Sequence, residues 1–476
     1  MGDFIMENEK KLDKWILYLI ISIISYIYLI MPQNAAVSVP VFTIIQFVMI
    51  YLILPKTGAL VLFAPIFLVS LSYFTSQNYL LRPLNFIVLV CLYNAFALFQ
   101  SGEISAKDGL YTIFEKFTYN VFTPFSYFGL PFKKLSQTKN TKTIRRVLLG
   151  VLISIPCILF LTIMLSSSDM VFSYKVGNFI KWAASLINLN ALFKIIVGIF
   201  CGFYLFGLMY KTTIPKGKRV LAKNDLKADF LVLNIVLFSI LAIYTLFVAI
   251  QFKYLFAKGQ LPSNLTYAQY ARRGFFELVV LSVINTLINV AVGGVTKEAK
   301  NKWSYLTKFF NCYLCLVSFV LLSSSYYRMK LYSNEFGLTR LRYMVYVFLA
   351  AEAIGLAVTL YYIIRPRLNI IFTYALLALA YILILNLIPM DKIIAKNQID
   401  KYLAGNKADI DYVLTLSADA AGEVERLLSC GDEKVRIASW EYFENHIKRQ
   451  KSIPSRWQRW NLSGYKLERI YETYAR

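Results

Sequence analysis

Apolar residues along this chain gather in eleven runs, at about residues 15–31, 36–54, 58–74, 84–100, 146–167, 191–210, 230–252, 274–293, 303–326, 339–363 and 368–388. Each is close to the length that crosses a hydrocarbon core of about 30 Å at 1.5 Å rise per residue. Backbone groups in lipid must be satisfied within their own segment, so the pattern predicts α-helices packed as a polytopic transmembrane bundle, an all-α fold. Residues 1–14 read as a short polar N-terminus, 15–388 as the bundle, and 389–476 as a helical soluble tail. The first run, Trp15 to Met31, follows Lys10, Lys11 and Lys14 and has some features of a signal peptide. Its length and the immediate start of a second run favour a retained first helix.

Two stretches between runs are neither apolar enough to cross nor polar enough to be plain loops. Residues 108–132 (DGLYTIFEKFTYNVFTPFSYFGLPF) and 170–189 (MVFSYKVGNFIKWAASLINL) mix aromatic residues with a few charges. Such segments favour the membrane interface, where passive packing is the first reading and a re-entrant or lid-like element the second. Gly198-x-x-x-Gly202 in the sixth run has the spacing that lets two helix backbones approach. Pro65 and Pro156 are positions where a helix can kink.

In the tail, helices are expected over 391–403, 409–416, 417–428 and 432–449. The last of these is acidic at its start and basic at its end, as the helix dipole favours. The final stretch, SRWQRWNLSGYKLERIY, interleaves aromatics and cations and suits either a membrane surface or packing back on the bundle.

Composition supports the membrane reading and removes several functions. The 476 residues are 58% hydrophobic and 16% charged, against about 25% charged for a soluble domain. The net charge of +24 would suggest nucleic acid in a soluble protein; here the cations lie in loops beside apolar runs and in the tail, with no nucleic-acid-reading motif. The single histidine, His446, leaves no material for histidine zinc sites or histidine-dependent triads. No phosphate-binding loop, dinucleotide fingerprint or H-E-x-x-H is present, and no cofactor, metal or catalytic residue is assigned. Cys312 and Cys315 form a C-x-x-C inside an apolar run without a second ligand pair, which reads as packing.

With the N-terminus placed in the cytoplasm, inward segments up to the last span carry 23 Lys and Arg against 11 in outward loops. The positive-inside rule therefore orients the N-terminus inward, and an odd number of spans puts the tail outside. The tail's own 15 cations weigh little, because segments longer than about 60 residues are largely exempt from the rule.

Charges and amides within the runs are the candidate chemistry. Glu352 lies ten residues beyond Arg342, hence about 15 Å into the tenth run, and shares a helix face with Gly355 and Thr359. A carboxyl there costs about 2.5–3.5 kcal/mol on the insertion scale. It reads equally as a proton or cation relay and as a protonated carboxyl bonded to a neighbouring helix. In the eighth run Arg273 and Glu277 stand four apart, and Asn285 and Asn289 continue from Glu277 within an arc of about 120°. Arg272, Arg273, Arg340 and Arg342 fall at one membrane face and suit an anionic headgroup or small anionic solute, or else snorkel and pair with Glu277 and Glu335.

At these residues the chain resembles a family. YARRGFFEL and NEFGLTRLR, with FTPFSYFGLPF before the fifth run and IDYVLTLSADA and RWQRWNLSGYKLER in the tail, are similar to the bacterial multi-spanning family called domain of unknown function 4173, related to the 4153 group. The resemblance, from about residue 85 onward, implies a bacterial cytoplasmic-membrane protein with an appended helical tail. It carries over no reaction and no catalytic residues.

Three functions follow in order. The first is transport or permeation of a small polar or anionic solute. The second is a noncatalytic envelope sensor or scaffold that engages a protein partner through its tail. The third is a membrane enzyme acting on lipid-linked substrates. The orientation is directly testable. With the other cysteines replaced, a membrane-impermeant thiol reagent added to intact cells is expected to label Cys430; labelling only after permeabilisation would place the tail inside.

Overall fold

The computed structural model describes residues 2–475 except 33, 56, 105–109, 136–153, 155–160, 163, 165–171, 173, 179–188, 214–228, 252–274, 297–300 and 453–456. The described residues form helices and turns, with no strand among them. Ten of the eleven apolar runs coincide with helices: α1 (Gly2–Ser25, extended by a π-turn at Tyr26–Ile30), α2 (Ser38–Ile53), α3 (Phe63–Thr75, entered through a 3-10 turn at Gly58–Leu62), α4 (Arg82–Gln100), α7 (Leu189–Lys211), α8 (Phe230–Gln251), α9 (Phe275–Thr296), α10 (Lys302–Phe336), α11 (Arg340–Ile364) and α12 (Ile370–Leu387). Nine helices among the described residues are long and apolar enough to cross a membrane, and α2 is a shorter apolar helix. Most of the fifth run and of 170–189 lies outside the described residues, as does Pro156. Pro65 sits in the first turn of α3, where its missing N–H has no helical partner to lose.

α10 is 35 residues, longer than its apolar run. The extra turns, through Phe336, project toward the tail, where Lys401 donates to the terminal carbonyls of Ser333 and Asn334. An ammonium on exposed C-terminal carbonyls is what the helix dipole favours.

In the N-terminal half, small residues set the helix spacing. Side chains at Gly198 and Gly202 would collide with Ile27 and Ile23, so α7 and the end of α1 approach closely on the G-x-x-x-G face. Gly207 packs likewise against the Pro124 backbone. That proline belongs to the aromatic segment 110–135, made of α5 (Leu110–Phe122), a 3-10 turn (Thr123–Tyr127) and α6 (Leu130–Leu135). Asn120 contacts Lys211 at the end of α7, Phe125 packs at a tilt against Tyr204 and Phe200, and Phe132 stacks on Phe203. Gly207 and Tyr210, which meet Pro124 and Tyr127, are four residues and one residue before Lys211, so the turn lies within about 6 Å of that end of α7 and only the Phe125 and Phe128 rings reach on to Phe200. The segment packs on the Lys211 end of α7 as a helix, a turn and a short helix.

The chain beyond α12 folds as α13 (Met390–Leu403), α14 (Ile410–Val413), α15 (Ala421–Val424, flanked by 3-10 turns), α16 (Glu433–Lys451) and α17 (Leu462–Tyr474). Ile394, Ile399, Val413, Val424, Leu427 and Phe443 form its own buried cluster. The helix expected at 417–428 is broken into short pieces, and the one at 409–416 is a single turn capped by Asp409. These helices pack back on the bundle. Main-chain N–H groups of Ala36 and Val37 donate to the carbonyls of Gln458 and Trp460, and the Ser463 hydroxyl donates to Thr75. The loops after α1, α3 and α10 are therefore on the same face as the tail. The N-terminal end of α1 is at the other.

Asp419 carries the contact to the α3–α4 loop, accepting from the Ser76 hydroxyl and from Gln77 N at 3.0 Å. Burial pushes its carboxyl above the ordinary aspartate range despite these hydrogen bonds. The docked tail then holds the proton more firmly than an undocked one. Its contribution to docking is complete below about pH 4 and fades as pH rises through the raised value. Burial of His446 instead lowers its pKa, so that group slopes the opposite way. Protease protection of the tail, measured from pH 4 to 7, is expected to fall with rising pH less in Asp419→Asn than in the unmodified chain; His446 is common to both and cancels.

Candidate functional site

Polar side chains of the C-terminal bundle gather around the middle of α9 and α11. Glu352 is the central residue of α11, twelve residues and about 18 Å from either end, and only 8% exposed. Its Oε1 accepts from the Thr286 hydroxyl at 2.9 Å, and Thr286 is at the middle of α9. Around that point α9 presents Asn285 to α8, where the Tyr244 hydroxyl donates to Asn285 Oδ1 at 3.0 Å. On another side it presents Asn289 to α10, where Asn311 Nδ2 donates to the Asn289 carbonyl at 3.0 Å. One turn along α11, Gly355 leaves room for the Tyr374 ring of α12, and the Tyr374 and Thr359 hydroxyls share a hydrogen bond of 2.8 Å. Glu352, Gly355 and Thr359 are all buried, as their shared face predicts.

This belt is under-satisfied. Asn285 Nδ2, both side-chain polar atoms of Asn289 and Asn311 Oδ1 are buried without a hydrogen-bond partner. Each orphaned group costs about 1–3 kcal/mol when dry. Sites of this polarity are where proteins hold water or a polar ligand.

The other expected residues are placed differently. Glu277 is exposed on the first turn of α9, off the buried face of Asn285 and Asn289, so the proposed stripe divides. The 80–120° separating them spans the boundary between the lipid-facing and buried sides of the helix. Arg272 and Arg273 lie outside the described residues. Arg340 grips Asp391 of α13 with both edges, Nε to Oδ1 at 2.7 Å and Nη2 to Oδ2 at 2.5 Å. Asp391 is fully buried and also accepts from Ser417 N at 3.0 Å. Arg342 donates to the Gly337 carbonyl and stacks over Tyr332, 4.2 Å from the ring centre. Both described arginines are thus engaged within the chain.

Their loop is built for the tail. Gly337 has φ of +73°, and a side chain there would also strike the Gln398 amide. Gln398 donates to the Leu338 carbonyl at 3.0 Å, and Tyr412 OH accepts from Arg340 N at 2.9 Å. NEFGLTRLR, IDYVLTLSADA and RWQRWNLSGYKLER are therefore the segments through which bundle and tail join.

A second polar chain was not anticipated. Lys211, 8% exposed, bonds Glu103 Oε2 at 3.1 Å and Asn120 Oδ1 at 2.8 Å. Asn120 Nδ2 contacts Asn94 Oδ1 at 3.2 Å, and Asn94 Nδ2 contacts the Tyr204 hydroxyl at 3.0 Å. Its members come from four separate segments, and the only local signal is Asn94 inside an apolar run. It ties the 110–135 segment to α4 and α7. Cys315 donates its thiol to the Leu356 carbonyl at 3.4 Å, within the α10–α11 contact.

A polytopic helical bundle with these motifs at its tail junction has a recognised counterpart. The model of the Domain of unknown function (DUF4153) matches residues 63–427, and the chain belongs to that family. No curated protein and no solved structure matches it. Family membership and apolar helices together define an integral membrane protein.

Removing one partner of a buried ion pair leaves the other charge uncompensated. Asp391→Ala is expected to destabilise the chain by about 3–5 kcal/mol, seen as a lower thermal midpoint in detergent. Unchanged melting would mean that the pair contributes nothing to holding the tail.

Proposed function

We propose that this protein conducts a small polar or anionic solute, with proton coupling at Glu352, through the C-terminal bundle of the bacterial cytoplasmic membrane. The observation that carries the reading is a buried mid-helix carboxyl, held by one threonine hydroxyl, beside four orphaned amide atoms. Inside a bilayer, ionisable residues of this kind mark ion and proton pathways. The amides supply both donors and acceptors, which suits a hydrated polar solute better than a bare ion. Thr286 can donate to the ionised carboxylate and accept from the protonated acid, so the contact survives both protonation states.

In this reading the N-terminus is cytoplasmic and the tail extracytoplasmic, as the loop charges argue. Within its family the chain sits with the 4173 group, on the strength of YARRGFFEL and NEFGLTRLR. The tail, latched through Arg340 and Asp391, braces the outer ends of α10 and α11 around the pathway.

The test is proton flux into proteoliposomes under an imposed potential, followed with an entrapped pH-sensitive dye. Glu352→Gln is expected to reduce flux to that of protein-free liposomes while keeping the thermal midpoint. Asn289→Cys, in a cysteine-free background, is expected to react with a hydrophilic thiol reagent, because water reaches the belt. Unchanged flux in Glu352→Gln, or an unreactive cysteine at that position, overturns the reading.

A further inference from the structure

A cavity of about 580 Å³ lies in the other half of the molecule, between the end of α1, α2, α4, the turn at Phe122–Phe125 and α7. It is within the range of about 300–1,000 Å³ typical of ligand pockets. Its wall is a column of apolar and aromatic side chains: Phe42, Phe86, Leu89 and Val90 along its length, with Phe122 and Phe125 at its floor. From Arg82 at the head of α4 to Tyr93 near the floor is eleven residues, about 16 Å, or one leaflet of a core about 30 Å thick. The cavity thus has the depth of a single leaflet, on the face that carries the tail.

Its mouth is polar and positively charged. Arg82 lines it together with Asn34 and Tyr73. The guanidinium lies 4.5 Å from the Tyr79 ring centre and 5.5 Å from that of Tyr73, and makes no ion pair among the described residues. Arg82 also lines an adjoining cleft of Ser72, Ser76, Asn78 and Asn85. The nearby acid, Asp419, turns its oxygens to Ser76 and Gln77. The mouth is braced from the tail, because Ala36 beside Asn34 and Ala35 is bonded to Gln458.

The geometry points to a binding site for an anionic glycerophospholipid of the tail-side leaflet, with one acyl chain in the cavity and the phosphate at Arg82. A planar guanidinium backed by two aromatic rings presents its N–H edge to a phosphate in a fixed orientation. The apolar walls give an acyl chain dispersion contacts along its length, and Phe122 and Phe125 limit its depth. This site is separate from the belt around Glu352, and its test does not depend on transport.

The experiment is native mass spectrometry of the full chain in detergent, with dioleoyl phosphatidylglycerol or dioleoyl phosphatidylcholine added at equal concentration. The unmodified chain is expected to retain the glycerol lipid about fivefold better, the factor expected of one arginine near a charged surface. Arg82→Gln should equalise the two lipids and Arg82→Lys should keep part of the preference. Val90→Trp, which fills the column, should lose both adducts; if it does not fold, as judged by gel filtration, Leu89→Phe narrows the same column. Equal retention by the unmodified chain overturns the proposal. So does a preference that survives Arg82→Gln, or adducts that survive filling of the column, which would mark lipid held on the outer surface only.

Discussion

Lipid tails are as apolar as leucine, so a helix in the bilayer gains nothing by moving its leucines from lipid to protein. The bundle must be held by what lipid cannot supply, close backbone approach and hydrogen bonds between side chains. The structure uses both. Gly198, Gly202 and Gly207 bring α7 against α1 and the Pro124 turn. Amide and hydroxyl pairs then fasten helix to helix: Tyr18 to Gln46 between α1 and α2, Asn85 to Asn386 between α4 and α12, and Tyr244 to Asn285 between α8 and α9. The large exposed leucines, isoleucines and phenylalanines of the spanning helices are the solvent-facing residues of this solvent.

At the membrane face the balance reverses. Water restores the hydrophobic effect, and the tail builds a conventional core from Ile394, Val413, Leu427 and Phe443. Its attachment is polar, because the loop ends it meets carry unsatisfied main-chain groups. Lys401 caps α10, Gln398 reaches Leu338, and Arg340 leaves the membrane face to hold Asp391. Three of the five segments that gave the chain a family resemblance, NEFGLTRLR, IDYVLTLSADA and RWQRWNLSGYKLER, contribute to the two sides of this joint.

The candidate site was partly legible. Glu352 stood out because a carboxyl amid LAAEAIGLAV has no surface to reach, and its face with Gly355 and Thr359 follows from helical periodicity alone. Asn285 and Asn289 were found the same way. Thr286, Tyr244, Asn311 and Tyr374 were not, since each belongs to another element or looks ordinary in its own run. The partner of Arg340 was not legible for a physical reason. A cation at a helix end is the same signal whether it waits for a ligand or pairs with a distant aspartate, and Asp391 is 51 residues from Arg340. Glu277 shows the opposite error, in which an arc of 120° on one helix was too wide to share a buried side.

What the sequence determined by itself is everything that depends on solvent and local period. The apolar runs require helices because backbone groups in hydrocarbon have no other partner, and capping residues such as Asp409 and Asp432 set where several tail helices start. Only the tertiary structure decided which polar residues face each other. The packing of 110–135 on α7, the chain from Lys211 to Tyr204, the cavity under Arg82 and the under-satisfied belt around Glu352 all arise between segments distant in the chain. Pairing between helices in lipid is chosen by a few small residues and hydrogen bonds, and no local pattern records which partner each one finds.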